Sequence, residues 1–123
     1  MRIALAVLMT LHGIAHLVGF AGAWQLSAAA NVPYRTTVLG GHVDLGGAGI
    51  RAVGILWVAA AVAFVAVSAG AVMHTDWWFR TAVLVALASL ALTILELPEA
   101  RIGAAVNVLL LAILLVAPVL RFA

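Results

Sequence analysis

Four apolar runs, at roughly 3–24, 48–73, 77–96 and 102–121, divide the chain, and little polar sequence separates them. Each holds the ~20 residues that a helix needs to cross a hydrocarbon slab ~30 Å thick. Their ends are punctuated. Trp24 and Tyr34 stand at one set of boundaries and Trp77, Trp78 and Phe122 at the other, as aromatic belts do. Asp76 precedes "WWFR" and reads as the N-cap of the third helix, while Pro98 makes the turn into the fourth. Four crossings put both termini on one face and leave one long connection, 25–47. Its centre reads "GGHVDLGG". Paired glycines there permit tight turns or a short hairpin folded over the bundle. The pattern predicts an all-α fold, an integral membrane four-helix bundle forming a single domain over residues 1–123.

Composition agrees. The 123 residues are 67% hydrophobic and 8% charged, with mean hydropathy +1.30. A water-soluble domain of this size needs a larger charged share to cover its surface. The absence of cysteine excludes disulfide scaffolds, thiolate metal sites and cysteine nucleophiles. The pI near 10.6 comes from six basic residues, all arginine and spread singly, so the clustered charge that nucleic-acid binding requires is missing. The first run, with Arg2 ahead of it and "AGA" at 21–23, has the outline of a signal peptide but reads here as a retained spanning helix.

Orientation follows from a narrow margin. Arg2, Arg80 and Arg121 fall on the face of the termini and Arg35, Arg51 and Arg101 on the other, three against three. The terminal amine adds to Arg2, and acids favour the opposite face: Asp44, Glu96 and Glu99 against Asp76. The expectation is a multi-pass protein of the bacterial inner (plasma) membrane with cytoplasmic termini.

"HGIAH", residues 12–16, stands inside the first apolar run. At ~1.5 Å per residue His16 lies roughly 20 Å along that helix, with His12 about one turn shallower on the same side. Arg51 in the second helix, Glu96 in the third, and Arg101 and Asn107 in the fourth all fall toward the loop face, where His42 and Asp44 come down from the loop. Polar groups facing lipid cost several kcal/mol, roughly, so they turn inward and meet. Expected pairings are Glu96 with Arg51 or Arg101, and Asn107 with a histidine. Each member also has a purely structural reading. Arg101 and Glu99 suit a solvated turn, Glu96 a snorkelling helix end, Asn107 an interhelical hydrogen bond, and His42 and Asp44 a loop surface.

"LHGIAHLVGF" at 11–20 together with "EARIGAAVNVLLL" at 99–111 resembles a group of small, uncharacterised four-helix membrane proteins of bacteria. Those have an HGxxHxxGF-like first helix, a tryptophan in the second, and (D/E)A(R/K)xGxxxN at the start of the last. The matching residues are His12, Gly13, His16, Gly19, Phe20, Trp57, Glu99, Ala100, Arg101, Gly103 and Asn107. The resemblance implies a four-helix integral membrane fold, leaves out the loop at 25–47, and brings no activity with it.

The leading functional expectation is an intramembrane pocket that binds a small lipophilic molecule and transforms it by acid/base chemistry. His12 or His16 would act as base, Glu96 as acid, and Asn107 with an arginine would stabilise an oxyanion, as in isomerisation, cyclisation or hydrolytic ring opening. Trp57, Arg51, Arg101, His42 and Asp44 are the candidate substrate contacts. No cofactor is required. Two alternatives stay open. One is metal or haem binding, with His12 and His16 as an HxxxH pair joined by Glu96 or His42, or His16 paired with His42 about a haem. The other is a non-catalytic subunit or binding partner, including a homodimer through a Gly/Ala face.

Overall fold

The computed structural model describes residues 2–26, 34–98 and 100–121, the side chains as far as Val116. Glu99, Phe122 and loop residues 27–33, which figured in the sequence reading, lie outside the described residues. Among the described residues the chain forms four helices and one small hairpin. These are α1 (Arg2–Ala23), β1 (Thr37–Val38), β2 (Val43–Asp44), α2 (Gly46–Val72), α3 (Trp78–Leu95) and α4 (Arg101–Arg121). The all-α class and the helix positions expected from the apolar runs are present. By length and composition α1, α2 and α3 are each sufficient to cross a membrane; the described apolar part of α4, Arg101–Val116, is shorter.

Consecutive helices pack against one another, α1 on α2, α2 on α3 and α3 on α4, whereas α1 and α4 make little backbone contact. Two apolar clusters hold the bundle. Toward the termini, Leu5 and Met9 of α1 meet Phe64 and Val67 of α2, Ala82 of α3, and Leu110 and Leu114 of α4. Toward the loop, Ala23, Val38, Ile50, Val53, Trp57 and Leu92 pack together.

The α1–α2 seam is closed by glycine against aromatic. A Cβ on Gly13 would stand 2.8 Å from Cβ of Phe64, one on Gly19 would fall 2.6 Å from Cε2 of Trp57, and one on Gly54 would be 2.6 Å from Cδ1 of Trp24. Each glycine is thus a socket for a ring, and close backbone approach follows.

The hairpin roofs the loop end. β1 and β2 pair antiparallel with Thr37 opposite Asp44 and Val38 opposite Val43. Val38 is 3% exposed, wedged into the upper cluster. The Leu39 N–H donates to the Leu95 carbonyl at 2.8 Å, tying the hairpin to the C-terminus of α3. Gly40 and Gly41 have φ of 68° and 91°, so the turn relies on their tolerance of left-handed backbone. Asp44 accepts the Gly46 N–H at 2.9 Å, which starts α2. Asp76 does not cap α3: the N-cap position falls to Trp77, with no side-chain cap hydrogen bond.

Candidate functional site

His12 and His16 project from one face of α1 because a four-residue step nearly completes a turn. They are 7% and 2% exposed. Their rings meet edge to face, centroids 4.6 Å apart at 88°. Trp57 lies 5.1 Å from His16 and Phe64 lies 5.1 Å from His12, so the two sockets in α1 bring aromatic rings against the pair.

A closed ring of four hydrogen bonds joins this pair to α3 and α4. His16 Nδ1 is 2.7 Å from the His12 carbonyl, and its Nε2 is 2.5 Å from Ser89 Oγ. Asn107 Nδ2 is 2.9 Å from Ser89 Oγ, and Asn107 Oδ1 is 3.0 Å from His12 Nε2. The inventory of donors and acceptors fixes the direction of every bond for neutral rings. A carbonyl only accepts, so His16 Nδ1 carries hydrogen and its Nε2 is an acceptor. Ser89 therefore donates its hydroxyl hydrogen to His16 and accepts from the Asn107 amide. Asn107 then turns its carbonyl oxygen to His12, whose Nε2–H donates. Among the described residues only one ring nitrogen of the pair, His12 Nδ1, is left as a lone pair without a partner. Thr93 supports the ring at its edge: its hydroxyl donates to the Leu90 carbonyl at 2.9 Å and lies 3.5 Å from Asn107 Nδ2.

A cavity of about 760 Å³ lies beside this network, between α1 and α4 and under the hairpin. Its volume is within the ~300–1,000 Å³ usual for small-molecule sites. His12, His16, Thr93 and Glu96 give it a polar wall, and Arg35 and Thr37 contribute from the hairpin. Trp57 and small residues of α1 and α4 complete it. The mouth is apolar. Leu11, Val18 and Ile102 line the cavity while remaining 62%, 52% and 75% exposed, so it opens sideways where α1 and α4 diverge.

Of the residues singled out from sequence, His12, His16, Glu96 and Trp57 line the cavity. Asn107 is fully buried behind it, one hydrogen bond from His12. The structure does not bring the other four into it. Arg51 lies on α2 about 100° around the axis from the buried Ile50. Its guanidinium instead sits over the Trp24 ring, 5.1 Å from the centroid, beside a separate groove. Arg101 is exposed at the first turn of α4, opposite the inward Gly103–Asn107–Leu110 side. His42 is exposed in the hairpin turn. Asp44 is exposed as well, with its carboxylate turned back to the start of α2; the Gly46 N–H, then the Thr36 side chain, hold its carboxyl below the usual range.

Sequence reasoning missed Ser89, Thr93, Arg35 and Thr37. Ser89, Thr93 and Glu96 follow an i, i+4, i+7 spacing that marks one stripe of α3, a signal legible in the sequence. Arg35 and Thr37 carried none, because their position depends on how the hairpin folds. Metal ligation finds no support in the donor set. Three of the four ring nitrogens of His12 and His16 are engaged, His42 is not at the cavity, and among the described residues no three His, Asp or Glu side chains are grouped to hold an ion.

No protein-family profile, curated protein or solved structure matches this chain.

Proposed function

We propose that the chain is an integral membrane protein of four crossings whose cavity takes a small lipophilic molecule from the bilayer and acts on its polar end. Support for insertion is the outward display of large apolar side chains, among them Leu84, Leu109 and Leu115, on three helices of spanning length and on α4. We read the termini as cytoplasmic, in a bacterial inner membrane, a reading supported by the terminal amine beside Arg2 and by the acids at the opposite face. The HGxxHxxG spacing, which resembles that of small bacterial four-helix membrane proteins, has a physical basis here. Its glycines seat Phe64 and Trp57, and its histidines build the hydrogen-bonded ring.

The observation that carries the functional reading is the asymmetry of the cavity: an apolar lateral mouth at Leu11, Val18 and Ile102 and a polar wall at His12, His16 and Glu96. A ligand fitted to it is an amphiphile, its chain toward the mouth and its functional group against the wall. His12 is the base of this site, because Asn107 holds its Nε2–H and leaves Nδ1 basic, an arrangement that orients a base through a third group. Glu96, at the loop end, is the acid. His16 has both nitrogens engaged and acts as a positioning residue.

Photolabelling tests the reading. The full chain, purified in mild detergent, is irradiated with a diazirine-bearing fatty alcohol and digested. Labels concentrated on the peptides that contain Leu11–Val18 and Ile102–Val106, and displaced by unlabelled alcohol, are expected. Labels spread evenly over the outer faces of α2 and α3, with no displacement, overturn it.

A further inference from the structure

The hydrogen-bonded ring carries an inference about which functional group the ligand presents, and it rests on the reading of the cavity just given. Every polar atom of the ring except one has a partner among the described residues. The Nδ1–H of His16 is committed to a main-chain carbonyl, which cannot reverse the bond, and this commitment propagates through Ser89 and Asn107 to His12. Reversing any bond in the sequence would set two donors or two acceptors face to face. The tautomer of His12 is thus fixed by a carbonyl one helical turn away, and the lone pair at Nδ1 is the acceptor that the network leaves over. His12 lines the cavity.

We infer that the site selects a ligand bearing a hydroxyl hydrogen-bond donor, a long-chain alcohol, over ethers, esters and aldehydes of the same chain, which can only accept. An acceptor-only headgroup at His12 Nδ1 would place lone pair against lone pair and leave both desolvated. A hydroxyl donates to Nδ1 and keeps its oxygen lone pairs for a second contact along the polar wall. The ligand's chain leaves His12 toward the lateral mouth at Leu11, Val18 and Ile102, so its length is not limited by the cavity.

The test compares hexadecanol with hexadecyl methyl ether and hexadecanal on the purified full-length protein. Each competes with the diazirine probe at a pH well above the ordinary histidine range, so that the rings are neutral. The alcohol is expected to compete about tenfold better than either acceptor-only analogue, the discrimination that one buried, unmade hydrogen bond supplies. His12→Phe, which keeps a ring of similar size without the lone pair, is expected to bring the alcohol down to the level of the ether. Imidazole nitrogen NMR of the wild-type protein reads the tautomers directly, with hydrogen expected on Nε2 of His12 and on Nδ1 of His16. Equal competition by alcohol and ether overturns the inference while leaving the lipophilic cavity standing, and so does hydrogen found on Nδ1 of His12. Failure of all three compounds to displace the probe removes the cavity reading and this inference together.

Discussion

Ser89 is the joint of the hydrogen-bonded ring, and replacing it with alanine tests whether the ring holds the bundle together. Its hydroxyl donates to His16 Nε2 at 2.5 Å and accepts from Asn107 Nδ2 at 2.9 Å, with no exposed surface. A buried hydrogen bond contributes about 1 kcal/mol net, and interhelical bonds in membrane bundles average about 0.6 with a maximum near 1.7 kcal/mol. The two losses are unequal. Asn107 keeps Thr93 Oγ1 as a second acceptor, at 3.5 Å, and relaxes toward it; His16 Nε2 has no substitute donor. Ser89→Ala should therefore cost about 1–2 kcal/mol, less than two independent bonds. Ser68→Ala is the matched control, because that buried hydroxyl bonds only to the Phe64 carbonyl in its own helix, at 2.8 Å, and its loss should cost under about 0.5 kcal/mol. The assay is reversible unfolding of the full chain in mixed micelles, driven by sodium dodecyl sulfate and followed by tryptophan fluorescence. Adding His16→Phe completes a double-mutant cycle with a coupling of about 1 kcal/mol between positions 16 and 89. Costs for Ser89→Ala and Ser68→Ala that are indistinguishable, with a cycle that adds, would refute the ring as an energetic unit.

Gly19→Leu drives a side chain into the Trp57 indole; overpacking of about 1–3 kcal/mol is expected in the same unfolding assay, with probe labelling lost. Arg51→Ala and Arg101→Ala should leave labelling unchanged, because neither side chain lines the cavity; Arg51→Ala should cost about 0.5–1 kcal/mol through its lost contact with Trp24, read from the unfolding curve. The Asp44 carboxyl is held below its ordinary value in the folded chain, so its contribution is complete above the unfolded pKa, about 4, and disappears as pH falls through the folded one. The Gly46 amide resonance should shift with acidification below about pH 4 in the wild type and stay level in Asp44→Asn.

Much of the fold is written in the apolar runs, because a run of spanning length bounded by tryptophan, proline and glycine leaves few alternatives to a helix. The core of the site is legible for a related reason. His12, His16 and Asn107 are polar groups deep in apolar sequence, where only partners inside the bundle satisfy them. Ser89 and Thr93 gave no such signal on their own. A hydroxyl in a helix can bond to its own backbone, as Thr10 does to the Ala6 carbonyl at 2.8 Å, so residue type alone does not separate a network member from a self-satisfied one. Arg51 and Arg101 were placed by depth, which the sequence gives well, and misjudged by angle, which decides where a side chain goes. For Arg35 and Thr37 the paired glycines announced a chain reversal between Val38 and Val43, but not which flanking residues it turns toward the cavity.

The seam between α1 and α4 differs from its neighbours in kind. Elsewhere, rings sit in glycine notches or apolar side chains interlock, and separating those helices means undoing a clasp. Along the upper half of α1 and α4 one hydrogen bond, between His12 Nε2 and Asn107 Oδ1, spans the seam, while lower down Leu5, Met9, Leu110 and Leu114 share one apolar cluster. The seam is accordingly gripped near the chain termini and parted beside His12, in the outline of a clothes-peg. Widening the cavity along this seam would strain the His12–Asn107 bond and leave untouched the glycine-seated rings that hold α1 against α2.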